Sequence, residues 1–315
     1  MNNKLRIVSE QGVSVVIPCY NSELTLGGVL TDLRSEFRHF GLMRYEIILV
    51  IDGPKDNTLQ IALEQQKENP KIRILVLNQN FGQHAAIFAG LSQAKFNFIV
   101  TMDDDGQHLA SHVPNLLLPL CGDIDVVYGI PRIEEHNHIR NFFSRAAKYV
   151  TFKLLKIQNT KDISAFRAFK KLVIDGIDFR FLTSAVVDVV LNWNTNRFLT
   201  VKVDMAKRIE GRSNYTYLKL FKFALQMIIG YSIRPLRIAT MAGLMIFSIS
   251  ATVSVGLIYR SVMGEIVVPG YFLLTLFVLF LWSLQLITLG LIGEYVGKIH
   301  EHSMRKPLYL IREEH

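Results

Sequence analysis

The chain has 315 residues, a formal net charge of +8, two cysteines and an apolar content of 50%. Two cysteines far apart in sequence, Cys19 and Cys121, exclude a disulfide framework and favour a reducing compartment. The basic excess sits partly beside long apolar segments and never alternates with aromatics over a long stretch, so anionic lipid headgroups suit it better than nucleic acid.

The N-terminus, MNNKLRIVSEQG, lacks the apolar core of a signal peptide, so the chain is expected to begin in the cytoplasm. Five short apolar runs then predict buried strands: 13–18, 45–52, 72–78, 96–103 and 125–129. Segments with helical spacing separate them at 23–39, 57–68, 83–94 and 111–121. Such alternation predicts an α/β domain with a mostly parallel sheet covered on both faces. Ligands of such sheets bind beyond the carboxyl ends of the strands. That rule puts Pro18–Asn21, Asp52, Asn78–Gly82 and Asp103–Gln107 on one rim.

Past Gly129 the alternation weakens. A helix is predicted over 140–157, a helix around TSAVVDVVLNW with Asp188 as its one polar position, and a late strand over 197–204. The stretch 217–233 is very apolar with two early lysines and predicts an interfacial helix lying on a membrane. Ile238–Tyr259 and Tyr271–Gly293 follow, 22 and 23 residues without a charge. Each is long enough as a helix to cross a bilayer core of about 30 Å. Lys219, Lys222, Arg234 and Arg237 precede the first span and Lys298, Arg305, Lys306 and Arg312 follow the second, while the loop between carries only Arg260 and Glu265. The positive-inside rule therefore puts both the N-terminal domain and the tail in the cytoplasm, as for an enzyme of a bacterial inner membrane. The expected organisation is a domain over 1–210, an interfacial region over 211–235, two spans within 236–293 and a tail over 294–315. The expected partners include a second copy of the chain, as a homo-oligomer.

The strand predicted at 96–103 stops at three carboxylates, Asp103, Asp104 and Asp105. Asp103 and Asp105 are two apart, and in extended backbone they point to the same side. A hard divalent cation, Mg2+ or Mn2+, would reconcile them, taking its remaining ligands from phosphate and water. The alternative is a solvated acidic turn. His108 and His112 have the spacing of a zinc pair on a helix, but no glutamate lies between them and Pro114 follows closely. A structural role suits them better. Gly82 could free a helix N-terminus for phosphate or make a plain turn.

In order, VVIPCYN, VIDGPKDNT, NFGQHAAIFAG, MDDDGQH, VVYGIPR and EGRSNYT resemble the family-two glycosyltransferases of GT-A fold. With the two spans and LGLIGEYVGKIHEHSMRKPLYLI, the whole chain is most similar to the branch that glycosylates polyprenyl phosphates. The resemblance implies that Pro18, Tyr20 and Asp52 hold the base and ribose of a nucleotide-sugar donor. It implies that Asp103, Asp105 and Gln107 hold the divalent cation on the donor phosphates, with Asp105 central to catalysis. Arg132, Arg140 and Ser144 match positions that contact the acceptor phosphate, and Arg208 matches a basic residue between donor and acceptor phosphates. Against the usual pattern, Ile51 precedes Asp52 where a second aspartate is common, and Pro54 replaces serine. Ser22 stands where glutamate often sits, and Asp104 where a small residue is usual. Asp104 is grouped with the donor-binding residues, its carboxylate expected to be solvated.

The implied reaction is inverting transfer of a sugar to polyprenyl phosphate at the cytoplasmic face, giving a lipid-linked monosaccharide for cell-envelope use. An ionised phosphate needs no general base, so positioning and charge stabilisation would carry the rate. One alternative is transfer to a lipid or glycan hydroxyl, which would need a base such as Asp188. Another is a nucleotide-sugar-binding membrane scaffold without turnover.

Overall fold

A computed structural model describes residues 3–132, 163–179, 182, 186–206, 270–304 and 307–315, with isolated positions between 241 and 263. The chain divides into two compact units, one of Met1–Thr216 with Arg305–His315 and one of Tyr217–Met304.

The first unit is built on an eight-stranded sheet with order β7-β5-β6-β4-β1-β2-β3-β8. Its strands are β1 (Val13–Cys19), β2 (Tyr45–Ile51), β3 (Ile72–Leu77), β4 (Phe98–Thr101), β5 (Val126–Pro131), β6 (Arg167–Lys170), β7 (Phe198–Val203) and β8 (Ile311–Glu314). Strands β1 to β4 pair in parallel, β1 lying between β2 and β4. The antiparallel members are β6, wedged between β4 and β5, and β8, on the outer edge of β3. The parallel α/β domain expected from the alternation is therefore present, with two added strands that the periodicity did not announce.

Both faces are buried because residues of one strand alternate between two cores. Val13, Val15, Ile17 and Cys19 of β1 pack into one, while Val16 packs into the other. The first core is covered by α1 (Asn3–Gln11), α2 (Leu26–His39), α3 (Thr58–Glu68) and α5 (Val113–Leu117). Helix α2 buries Leu26, Val29, Leu30, Leu33 and Phe37, the spacing of a single helical stripe. The second core is filled by α4 (Gln83–Gln93), whose residues from Ala85 to Leu91 are all buried. A side chain at Gly90 would put its Cβ 2.4 Å from Val16 Cγ1, so glycine is what lets α4 lie directly on the sheet. Helix α6 (Val187–Asn194) buries Val187, Val190 and Leu191 in the same core.

In the second unit, α7 (Gly270–Ser303) is one continuous helix of 34 residues. Its window Phe280–Gly297 is long and apolar enough to cross a membrane, the one such helix among the described residues. Large apolar side chains on it, Trp282, Leu286 and Leu289 among them, are exposed within the unit. The expected span over Ile238–Tyr259 and the interfacial helix over 217–233 lie largely or wholly outside the described residues. The segment expected as a tail, 294–315, is divided instead. Its first part continues α7 to Ser303, and Ile311–Glu314 returns to the first unit as β8. Backbone amides hold that return: Ile74 and His315 exchange both hydrogen bonds at 2.9 Å, and Asn78 N donates to Leu310 O. Arg73 adds ion pairs to Glu46 and Glu314.

Candidate active site

Strands β1, β2, β3 and β4 end at Cys19, Ile51, Leu77 and Thr101, so the loops after them form one rim. From β1 the chain steps to β2 on one side, and β4 later lands on the other. The crevice between the ends of β1 and β4 is thus the topological switch point of the sheet, where such folds take ligands.

The acidic triplet enters that crevice in a turn. Because β4 ends at Thr101, Asp103 and Asp105 are not paired by extended geometry, which corrects the basis on which the sequence put them on one side. Asp103 Oδ1 accepts a hydrogen bond from Gln83 Nε2 at 2.7 Å, and its backbone N–H donates to His108 Nδ1 at 3.0 Å. Asp105 Oδ1 accepts from the Gln107 backbone N–H at 3.0 Å, and the Gln107 carbonyl accepts from Ala206 N. His108 is itself fixed by stacking on Phe166, ring centroids 4.9 Å apart. Burial pushes its pKa down to about 4, so at neutral pH it is an uncharged acceptor behind the triplet.

Asp104 is not the solvated residue expected. Its Oδ2 accepts from the Tyr20 backbone N–H at 3.2 Å and from the Ser22 hydroxyl. Burial raises its pKa to about 6, helped by the charge of Asp103 and opposed by those hydrogen bonds. Asp104 therefore joins the β1 and β4 loops across the crevice. Ser22 N donates to Thr58 Oγ1, Glu23 N to Asp56, and Lys55 N to Asn21 Oδ1, extending the tie to the loop after β2. Between them lies a cleft of about 430 Å³, lined by residues 20–25, Lys55, Asp56, Asp104 and Asp105. Tyr20 stands 43% exposed at its mouth.

Pro18 is buried inside β1. Asp52 N donates to Cys19 O and Met102 N to Val16 O, so alternate β1 residues face β2 and β4. Pro18 faces the β4 side one step beyond Thr101, where no ladder amide is needed. Asp52, 3% exposed, accepts from the backbone N–H groups of Phe81 and Gly82 at 2.7 and 2.8 Å. Burial raises its pKa and those two bonds oppose the rise. This carboxylate already occupies the entry to α4 that Gly82 could have offered to phosphate. Next to it Gly53 has φ 59°, and a Cβ there would fall 2.6 Å from Asn80 N, so the loops after β2 and β3 meet backbone to backbone.

Arg132 lies at the end of β5, on the same rim, with Nε 3.5 Å from Asp204 Oδ1. Asp204 also receives its neighbour His112, whose Nε2 accepts from Asp204 N at 3.0 Å. Arg140, Ser144 and Arg208 lie outside the described residues.

A second constellation underlies the triplet and was missed. Arg167, 2% exposed, donates from Nε to Thr101 Oγ1 at 3.0 Å and pairs with Asp188 Oδ1. Tyr128 Oη donates to the same carboxylate oxygen at 3.0 Å. Burial opposes the charge on Arg167, and Asp188, Tyr128 and Asp103 together outweigh it. The charge also acts on Asp103. Asp188 is thus the counter-ion of a buried arginine and not a poised base.

Among the described residues no three His, Cys, Asp or Glu side chains gather as a metal cage. Two hard carboxylates on an open turn fit a divalent ion that draws its other ligands from phosphate and water.

Known proteins fall in line with this geometry. A family model described as glycosyl transferase family 2 matches residues 14–177. A glycosyltransferase of Synechocystis sp., named as uncharacterized, is 30% identical over 302 residues, 96% of this chain and 95% of that protein. An undecaprenyl-phosphate 4-deoxy-4-formamido-L-arabinose transferase of Aeromonas hydrophila is 28% identical over 304 residues, covering 96% and 93%. Among solved structures, glucosyl-3-phosphoglycerate synthase of Mycobacterium tuberculosis, in complex with Mn2+, UDP and its product, superposes with a TM-score of 0.55 at 19% identity, over 72% of this chain and 80% of that one. Mannosyl-3-phosphoglycerate synthase of Rubrobacter xylanophilus does so at 0.55 and 15% identity, over 75% and 77%. The structural likeness speaks for the fold, and the sequence matches carry the assignment: the chain belongs to glycosyl transferase family 2 and is a glycosyltransferase.

Proposed function

We propose that the protein transfers a sugar from a nucleotide sugar to a polyprenyl phosphate at the cytoplasmic face of a membrane, with inversion at the anomeric carbon. The observation that carries the reading is the acidic turn at the β1–β4 crevice, beside a cleft of about 430 Å³. The full-length match to an undecaprenyl-phosphate sugar transferase supports the acceptor class. Helix α7 supports a membrane position, and the uncharged stretch over 238–259 supports a second span.

Tyr20 and the loops around Asp104 would receive the nucleoside, with Pro18 and Asp52 shaping the strand ends beneath it. Asp103 and Asp105, with Gln107 beside them, would hold Mg2+ or Mn2+. When bound, the ion would screen the donor diphosphate and favour its departure. An oxygen of the lipid phosphate attacks the anomeric carbon, and the electron pair of the breaking carbon–oxygen bond leaves with the nucleoside diphosphate. The attacking oxygen is already ionised, so no proton has to be removed. That agrees with Asp188 being engaged by Arg167 and Tyr128. Arg132, Arg140 and Ser144 would position the acceptor phosphate, and Arg208 would lie between the two phosphate groups.

The test is turnover by purified full-length protein with undecaprenyl phosphate, Mg2+ or Mn2+, and a panel of UDP-glucose, UDP-N-acetylglucosamine, GDP-mannose and UDP-4-deoxy-4-formamido-arabinose. The expected product is lipid heavier by one sugar, absent with Asp105→Ala. Donor hydrolysis without any lipid product across the panel would sink the assignment.

A further inference from the structure

Three consecutive residues at the start of β6, Ala165, Phe166 and Arg167, hold the acidic turn at both of its ends. At the near end Thr101, the last residue of β4, donates its hydroxyl to Ala165 O at 2.9 Å and accepts from Arg167 Nε at 3.0 Å. At the far end the Phe166 ring stacks on His108, whose Nδ1 accepts the Asp103 backbone N–H. Gly129 of β5 leaves room for that ring, since a Cβ there would fall 2.9 Å from Phe166 Cδ1. Thr101, Phe166 and Arg167 are all buried, so water does not compete for these contacts. Asp103 and Asp105 thus belong to a loop whose two feet, Thr101 and His108, are fixed from beneath by one short segment.

Stability alone does not call for this arrangement. Packed apolar side chains often replace a buried ion pair at no loss, because desolvation offsets its attraction. What Arg167 supplies that an apolar residue would not is direction. Asp188, itself held by Tyr128, fixes the guanidinium, and Nε then meets Thr101. The Thr101 hydroxyl uses its hydrogen on Ala165 and a lone pair on Arg167, which holds it in the orientation that serves both. Carboxylates that share an ion with phosphate and water have to keep their spacing before the ion arrives. Side chains that orient metal ligands without touching the metal commonly govern its affinity.

We propose that Thr101 and Phe166, with Arg167 behind them, are positioning residues that preset Asp103 and Asp105 for a divalent cation; the inference rests on the metal reading above. The measurement is titration of Mn2+ into the full-length protein in detergent, free Mn2+ being followed by its EPR signal. It is made alone and with UDP or GDP, each variant held well below its own unfolding midpoint. Thr101→Val keeps the side-chain shape and the net charge but removes the hydroxyl, and should weaken Mn2+ affinity about tenfold. Thr101→Ser keeps the hydroxyl and should recover most of that loss. Phe166→Leu removes the ring from His108 while keeping the core apolar. It too should weaken Mn2+ about tenfold, and it keeps the test open should the valine variant misfold. A lowered unfolding midpoint with Mn2+ affinity within about twofold of wild type, in either folded variant, would overturn the proposal in favour of a purely structural role. A serine variant as weak as the valine one would overturn it in favour of side-chain packing. Wild type that takes up no Mn2+, or whose uptake survives Asp105→Ala, would defeat the metal reading and this inference together. Uptake lost in Asp105→Ala yet unchanged in Thr101→Val and Phe166→Leu would defeat this inference alone.

Discussion

Asp104 and Ser22 are best understood as one exchange. The family pattern often has glutamate at position 22 and a small residue at 104, whereas here the hydroxyl of Ser22 donates to the carboxylate of Asp104. The negative group is delivered to the same crevice from the opposite loop. Asp104→Ala should therefore raise the donor KM about tenfold, in line with losing charge-assisted bonds between loops. Adding Ser22→Glu to that variant should restore most of it, as read from rates of lipid product formation against donor concentration. His84 and His108 carry a different consequence. Both rings have folded pKa values near 4, below the ordinary 6.5, so the unfolded chain binds more protons between those limits. Stability is then full above pH 6.5 and falls as pH drops toward 4. Asp104, raised to about 6, acts in the opposite sense by holding its proton better when folded. Two groups outweigh one, and unfolding of the full-length chain should show a net loss on the order of 2 kcal/mol between pH 7 and 5. Asp104→Asn, which removes the counter-slope, should steepen that loss. The triplet was legible as a site because three adjacent carboxylates after an apolar run are conspicuous. Its middle member was misjudged because the partner that buries it comes from 82 residues earlier in the chain.

Strand β6 shows where element-level reading fails. FRAFKK looks like a half-exposed amphipathic stretch, yet Arg167 is among the largest fully buried side chains. Only the arrival of Asp188 from α6 and Tyr128 from β5 makes that burial tolerable, and neither is near in sequence. The main parallel strands, by contrast, announced themselves through unbroken apolar runs, because a strand covered on both faces has no polar side to show. Helix starts shifted for local reasons. The helix expected from Glu23 begins at Leu26, since Ser22 O first takes the N–H groups of Thr25 and Leu26 in a turn. Asp188→Ala would leave Arg167 charged and buried without its partner. It should cost about 3–5 kcal/mol, measured as a shift in the unfolding midpoint. The double variant Arg167→Met with Asp188→Ala should recover most of that loss. An Asp188 variant that kept full stability and lost only turnover would restore Asp188 as a base.

At the scale of the whole chain, β8 matters most. It follows a 34-residue helix, yet it pairs with β3 inside the first unit. Sequence gave little hint of it: IREE is charged, and its pairing depends on an exposed edge of β3 and on the waiting guanidinium of Arg73. Cutting the chain after Met304 should uncover that edge and leave Arg73 with only Glu46 and the Gln93 carbonyl. The expected outcome is a lower unfolding midpoint and aggregation on purification, which light scattering would register. Full solubility of the truncated protein would refute the structural importance of the strand.

Because a ribosome makes the chain from its N-terminal side onward, β8 is made after the other seven strands of its sheet. Seven strands of the sheet can assemble while 217–304 are still being synthesised, but the outer flank of β3 stays open throughout. The sheet is completed only once α7 and the residues of β8 beyond it have been made. Completion of the sheet is thus coupled to synthesis of the apolar segment, and a chain stalled during its production would present an unfinished sheet to chaperones and proteases.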